Sequence, residues 1–465
     1  MSVTQTTPGG AVVAAPAPPV TERLAEHALA VRAAGIGDAT THAATRAVVD
    51  WFAATVAGTV MEPARVLAAA LLDESPAGRS RLVADGCTTS SRTAALINAT
   101  ASHTAEMDDI FRDGIYHPGS PTVAAALAVA ERLGSSGTDL LRAVTIGYDI
   151  GDCIAAAVNP AHYRYWHTTG TVGTIGAAAA AADLLGLDAR RFAHALATAA
   201  TMAAGLQQAF RSDSMSKPLH AGHAAESGVL AALAASGGYT GALDILEGNA
   251  GFGAGMSGAV DWERALDRLA GPPGITQPTL KNHSCCGHTF AAVDAVLELR
   301  DQGVEARDVA GIDVATYVTA ATVAGNANPE TAFEAKFSTA YCVAVALVTG
   351  SVRLRAFEDE TLGDPRVREL MGRVTVAGDP GMEALFPGQR VARVTVTDRA
   401  GETHVAERQT RKGDPDDPLT DGELRDKFRD LAGPVLGDDQ AGRLEETLWR
   451  LSELPDLSAI PLGRA

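Results

Sequence analysis

Apolar positions recur at three- and four-residue spacing from Thr21 to about Leu269, so this stretch reads as a succession of helices. Thr21 can cap a first helix with Leu24, Ala25, Ala28 and Val31 on one face. Asp38 or Thr40 can cap the next, whose apolar stripe holds Ala43, Val48, Val49, Phe52 and Val56. Residues 80–84 read as a strand or an extended link. Residues 90–109 predict a helix closed by three acids, Glu106, Asp108 and Asp109. Further helices are predicted over 122–133, 139–158, 173–187, 189–210, 221–235 and 242–247. Their short connections favour antiparallel packing.

The pattern changes at Gly271-Pro-Pro-Gly274. Residues 308–319 alternate in β-branched character, as a strand does. A helix is predicted over 332–350, a short helix over 364–371 and a strand over 374–376. Residues 390–397 and 403–408 flank Asp398-Arg-Ala-Gly401, a hairpin signal. Residues 420–452 return to helix, a block able to pack on either part. The expected fold is mainly α: a flexible tail over 1–20, a large all-helical domain over 21–271 completed by 411–455, and a smaller α+β domain over 272–410.

A chain of 465 residues that is 46% hydrophobic and 20% charged fits two globular domains. The net charge of −18 argues against nucleic acid or an anionic membrane as partner. A site for an anion must then gather its own cations. Five cysteines, Cys87, Cys153, Cys285, Cys286 and Cys342, form no disulfide framework, which fits a reducing, cytoplasmic setting. The first 22 residues hold no Lys or Arg, so a signal-peptide n-region is not expected. The alanine-rich run 171–187 carries Asp183 and is too short and polar to span a bilayer.

The candidate chemistry clusters at loops that lead into small-residue helices. His117 lies in a loop stiffened by Gly114, Pro118, Gly119 and Pro121, just after the three acids. His167 precedes one Ala/Gly-rich helix, where it serves as a proton carrier or as a cap. Lys217 and His220 precede another, an entry that suits an anion. Lys281 and Tyr317 are isolated candidates, and Lys336 sits unfavourably at a helix start. His283-Ser-Cys-Cys-Gly-His288 invites zinc, with two of its residues and a remote ligand, or is a loop with buried thiols. Gly253-Ala-Gly-Met-Ser-Gly258 matches a dinucleotide pattern but follows no predicted strand. There is no nucleophile elbow, Walker motif or firm metal site. Lysines at helix entries suit carboxylates and histidines suit proton transfer, which together describe proton abstraction beside a carboxylate.

An ordered series of motifs resembles the MmgE/PrpD family, which includes 2-methylcitrate dehydratase, cis-aconitate decarboxylase and iminodisuccinate epimerase. The series is Asn98-Ala-Thr-Ala-Ser-His103 with Met107-Asp-Asp109, His117-Pro118, His167 through Gly173, and Lys217-Pro-Leu-His-Ala-Gly222 with Ala224, Ala225 and Gly228. Leu280-Lys281 with Cys285-Cys286, then Ala335-Lys-Phe-Ser338 with Tyr341, complete it. The resemblance implies a helical domain with an α+β lid, a homodimer, and a site between the domains with no metal and no cofactor. It implies that Lys217 and Lys281 bind carboxylates, that His117 and His167 move protons, and that Tyr317 assists from the lid. His220, Glu106 and Cys286 would complete the substrate-binding wall. Asp109 would orient a histidine or stabilise the helix end, with Asp108 left to solvent. Departures fall at Glu106, where the family has aspartate, at Ile110 in place of threonine, and at Cys286 in place of a third histidine with His288 nearby. The expected activity is that of a hydro-lyase on a small di- or tricarboxylate. Decarboxylase and epimerase are the alternatives within the class, and a catalytically inactive carboxylate binder is the alternative outside it.

Overall fold

The helical periodicity of the first half folds as α1 (Val20–Ala34), α2 (Asp38–Thr59), α3 (Glu62–Leu71), α4 (Ser91–Thr104), α5 (Gly119–Leu133), α6 (Gly137–Val158), α7 (Thr168–Leu184), α8 (Ala189–Ala200) and α9 (Ser216–Ser236). The computed structural model describes residues 17–463 other than 211–213 and 387, so residues 1–16 of the expected tail lie outside the described residues. Helix α7 is apolar all round and buried from Thr168 to Asp183, which makes it the central rod of the first core. Helices α5, α6, α8 and α9 pack around it. The abundant alanine and glycine serve this close approach: a Cβ added to Gly147 would lie 2.9 Å from the carbonyl oxygen of Gly176 on α7.

Several helix limits differ from the sequence reading, each for a local reason. The helix expected over 90–109 stops at Thr104, because Glu106 turns into the left-handed region at φ 57. The helix expected over 189–210 stops at Ala200, and the following turn presents the Gly205 carbonyl to the His167 N–H at 2.9 Å. Residues 242–247 form turns rather than a helix, being too few to offset helix nucleation. The helix expected over 332–350 is two, Ala332–Lys336 and Thr339–Thr349, because the Ser338 hydroxyl caps the second by accepting from the Tyr341 N–H at 3.1 Å. Helix α3 and the helix Phe290–Asp301 have no counterpart in the sequence reading.

Strands β1 (Ser80–Arg81) and β2 (Thr88–Thr89) make one small antiparallel pair. Four more form a mixed sheet: β3 (Val309–Tyr317), β4 (Val374–Asp379), β5 (Ala392–Asp398) and β6 (Thr403–Arg408). Their order is β4-β3-β5-β6, with β3 parallel to β4 and antiparallel to β5, and β5–β6 the expected hairpin. Ile312, Val314, Val394 and Val396 point to one face, where helices Phe290–Asp301 and Thr339–Thr349 complete a second core. The fold is therefore mainly α with a smaller α+β part.

The chain returns to the first core at its end. Helices Asp421–Leu436 and Asp438–Trp449 pack on α2 and contribute Leu424, Phe428, Leu431, Leu444 and Leu448. Thr420 and Glu423 form the capping box that starts this block. Among the described residues no single helix is long and apolar enough to cross a membrane.

Candidate active site

The site begins with the chain reversal after α4. Thr104 ends the helix, Met107 is sunk in the first core, and Glu106 and Asp108 bracket it. Ile110 then pairs with Thr279 through two backbone hydrogen bonds, of 2.9 and 2.7 Å. This small bridge lays the segment that carries Lys281 along the acidic loop. The Ser284 hydroxyl donates to the Ala105 carbonyl at 3.3 Å, and the Cys286 N–H donates to the Lys336 carbonyl at 2.9 Å. Residues far apart in sequence therefore meet over Glu106.

Two lysines converge on that acid. Lys217, in the first turn of α9, donates to Glu106 Oε1. Lys281 Nζ lies 3.6 Å from Oε2 and donates to the Glu106 carbonyl oxygen at 3.1 Å. Burial raises the Glu106 carboxyl, but Lys217 and Lys281 outweigh it and hold the group below the ordinary carboxylate range. Lys336 adds a third cation to this neighbourhood. Burial lowers its pKa, Glu106 opposes that, and Lys217 and Lys281 reinforce it. Cys286, also near Lys281 and Glu106, is pushed up to about 11 by burial and stays a thiol at neutral pH.

Beside the lysines stands a stack of imidazoles. His103 stacks on His167 with ring centroids 5.4 Å apart and meets His117 edge-on at 4.9 Å. His167 Nδ1 and His220 Nδ1 are 3.0 Å apart, one donating to the other. Asp108 anchors the group. Its Oδ2 accepts from His103 Nδ1 at 2.6 Å and from the Ser120 hydroxyl at 2.8 Å, and lies 3.2 Å from His117 Nδ1. Burial raises the Asp108 carboxyl, and His103 and His117 bring it well below its ordinary value. With Nδ1–H given to Asp108, the lone pair of His103 is at Nε2, which has no partner among the described residues.

This corrects the expected division between the paired acids. Asp108 is 1% exposed and holds the histidines, rather than facing solvent. Asp109 accepts from the Tyr148 hydroxyl at 2.7 Å and from the Gly119 N–H at 2.9 Å, and no imidazole is among its hydrogen-bond partners. Burial pushes its carboxyl up to about 7. It holds the Gly119 N–H at the start of α5. The two adjacent acids thus point to different partners, Asp108 to the imidazoles and Asp109 to Tyr148 and Gly119.

The remaining candidates lie on the α+β part. Tyr317, at the end of β3, stacks on Phe386 and shares a 2.6 Å hydrogen bond with His288 Nδ1. Burial raises the Tyr317 phenol to about 12. The other residues of the cysteine–histidine segment diverge: His283 Nε2 is bound to Asp294 at 2.8 Å, and Cys285 Sγ lies 3.1 Å from the Thr289 hydroxyl. They do not face a common ion. Among the described residues, two sets have a ligand atom from each member within 4.8 Å of the others: Asp398, Glu402 and His404, and, beside the lysines, His103, Asp108 and His117. There both imidazoles lean on one carboxylate oxygen, so a metal would compete with the existing contacts.

Sequence reasoning gave His103 no role and left Asp108 to solvent, and it placed Lys336 at a helix start where the structure has it last in Ala332–Lys336. His103 and Asp108 were visible only as five-residue spacing across a helix end. Tyr163 is a further neighbour, its phenol raised by burial and responsive to Glu106, Cys286 and Lys281.

Three of the imidazoles are held toward the neutral form. Burial lowers His117 to about 4 against the pull of Asp108, and lowers His220 to about 4 with His103, His223 and Lys217 adding to it. His167 is also well below its ordinary value, again chiefly through burial. A lowered pKa means the neutral form persists as pH falls. At pH 5.5 His117 and His220 are therefore expected to remain neutral in the unliganded protein. Ring-nitrogen NMR shifts between pH 7 and 5 check this, and protonation midpoints near 6.5 would contradict it.

The helical and α+β parts thus meet with four imidazoles on one side and Lys217 and Lys281 over one acid on the other. The chain belongs to the MmgE/PrpD family: the MmgE/PrpD N-terminal domain matches residues 22–265 and the C-terminal domain matches residues 283–453. It is 27% identical to a cis-aconitate decarboxylase-like protein of Aspergillus oryzae, over 99% of this chain and 98% of that protein. It is 25% identical to a cis-aconitate decarboxylase of Aspergillus terreus, over 84% of each chain. Identity to the human cis-aconitate decarboxylase is 26%, over 79% of this chain and 78% of that one.

Proposed function

We propose that this protein is a lyase that acts on a small di- or tricarboxylate by moving a proton at the carbon next to a carboxylate. The observation that carries the reading is the imidazole stack of His103, His117, His167 and His220 set against the Glu106–Lys217–Lys281 cluster. A substrate carboxylate would share or replace Glu106 on the lysines. Negative charge that builds on that carboxylate as the α-carbon loses its proton would be met by Lys217 and Lys281. A neutral His117 or His167 would take the proton. In a dehydration the C–O bond then breaks, and the hydroxyl leaves as water with a proton from an imidazolium or from Tyr317.

The neutral imidazoles favour this abstraction-first chemistry, so we take the hydro-lyase as the first reading. The decarboxylase is the second, supported by the names of relatives that span most of the chain. In that reaction a C–C bond breaks to release carbon dioxide, its electron pair shifts the double bond, and an imidazolium supplies one proton to carbon. Incubation in D2O with 2-methylcitrate, citrate, cis-aconitate and iminodisuccinate, followed by proton NMR, separates the readings. The first expects water loss from a hydroxy acid. Carbon dioxide release from cis-aconitate with deuterium in the product selects the second. Thermal stabilisation by one of these acids with no turnover of any would overturn both and leave a carboxylate-binding protein.

A further inference from the structure

A recess of about 430 Å3 opens between α1, the loop after it, α6 and residues 268–277, the segment that leads from the first core toward the α+β part. No residue of the histidine–lysine cluster lines it. Val31, Ile36, Leu269, Pro272 and Pro273 give it apolar walls, and its volume suits a small organic molecule.

Two carboxylates face this space. Asp152 is 3% exposed, and neither of its oxygens has a hydrogen-bond partner among the described residues. Asp149 is engaged: Oδ2 lies 3.0 Å from His27 Nε2, and Oδ1 accepts from the Gly274 N–H at 2.6 Å. The linker backbone presses directly on the acids, since a Cβ on Gly274 would lie 3.0 Å from Asp152 Oδ2. The cation in the lining, Arg268, is turned aside. Its Nη1 is 3.1 Å from Asp113 Oδ2, and its guanidinium lies over the Phe111 ring. A buried carboxylate with no donor is costly, and either holds a proton or awaits a counter-ion. Burial, together with Asp109 and Asp149, raises the Asp152 carboxyl well above its ordinary value, and Arg268 offsets this only in part.

We propose that this recess is a binding site for a small alkylammonium, held by Asp152 and Asp149. An ammonium brings three donors to acceptors that have vacancies, and its alkyl stem suits the apolar walls. A bare metal ion fits less well, because Asp149, Asp152 and His27 are not among the described groups whose ligand atoms converge within chelating distance. The occupant would bridge α1, α6 and the linker.

The test is calorimetric titration of the full chain with 1,4-diaminobutane at constant ionic strength, with 1-butanol as the uncharged control. One saturable site is expected for the diamine and none for the alcohol. Asp152→Asn, which keeps the side-chain shape, should weaken binding at least tenfold, and its unliganded Tm should not fall. Asp149→Asn provides a second reading should Asp152→Asn fail to fold, and should also weaken binding. Lys217→Ala should bind the diamine as the unaltered protein does, which separates this site from the lysine cleft. Absence of saturable binding, undiminished binding by folded Asp152→Asn, or saturation by Mg2+ with the diamine silent would each overturn the proposal.

Discussion

Asp108→Asn is expected to lower kcat by roughly 10^2- to 10^4-fold with little change in KM, the usual range for disabling a positioned acid–base group. One oxygen of Asp108 gathers His103, His117 and Ser120. Its charge fixes Nδ1–H on His103 and so leaves the basic lone pair at Nε2. An asparagine of the same shape can place an NH2 against those rings, which reverses the tautomer or breaks the contact. The lysines that meet substrate carboxylates are untouched, hence the split between kcat and KM. Asp109→Asn is the control. That carboxyl is already raised to about 7, and its partners are Tyr148 and the Gly119 N–H, so an uncharged amide mimics its protonated form. Its effect should be on stability more than on rate. Steady-state kinetics with Tm values for both variants check this. A normal kcat in a folded Asp108→Asn protein would remove the residue from the mechanism.

The contrast between these neighbours shows what the chain discloses in one dimension. Element types were legible wherever periodicity ran long, as in α2, α5, α6 and the β5–β6 hairpin. The central rod α7 was legible too, since a run of alanine, glycine and apolar residues with no polar face belongs inside. His117, His167 and Lys217 drew attention because they stand at loops and helix entries, and Lys281 through the ordered series of motifs. The roles of Asp108 and Asp109 were not. They depend on the path of the chain after α4, which turns left-handed at Glu106, and nothing in that side chain announces φ 57. His103 was hidden for the opposite reason: inside a helix pattern, a buried histidine looks like packing. The pairing of Lys281 with Glu106 needed the Ile110–Thr279 bridge, a contact between residues 169 positions apart that no local pattern encodes.

Lys427→Met is expected to destabilise the fold by roughly 3–5 kcal/mol, the range for removing one partner of a buried ion pair. Lys427 is fully buried on the helix Asp421–Leu436. Its Nζ reaches Asp50 Oδ1 on α2 at 2.5 Å and the Met107 carbonyl oxygen at 2.8 Å. That carbonyl lies between Glu106 and Asp108, so the C-terminal helix supports the acidic loop from beneath. Methionine fills the volume but leaves Asp50 without its cation and Met107 without a donor. Asp50 already has a raised pKa, with burial raising it and Lys427 opposing. Loss of the lysine raises it further. A folded-state pKa above the unfolded value gives stability that is present at low pH and lost as pH rises. The deficit of the variant should therefore be larger at pH 8 than at pH 5.5. Denaturant unfolding at both pH values measures it. Asp50→Asn combined with Lys427→Met should recover much of the loss, because the buried charge is gone from both sides. A single variant as stable as the parent, or a deficit that shrinks as pH rises, would show that the pair does not brace the loop through charge.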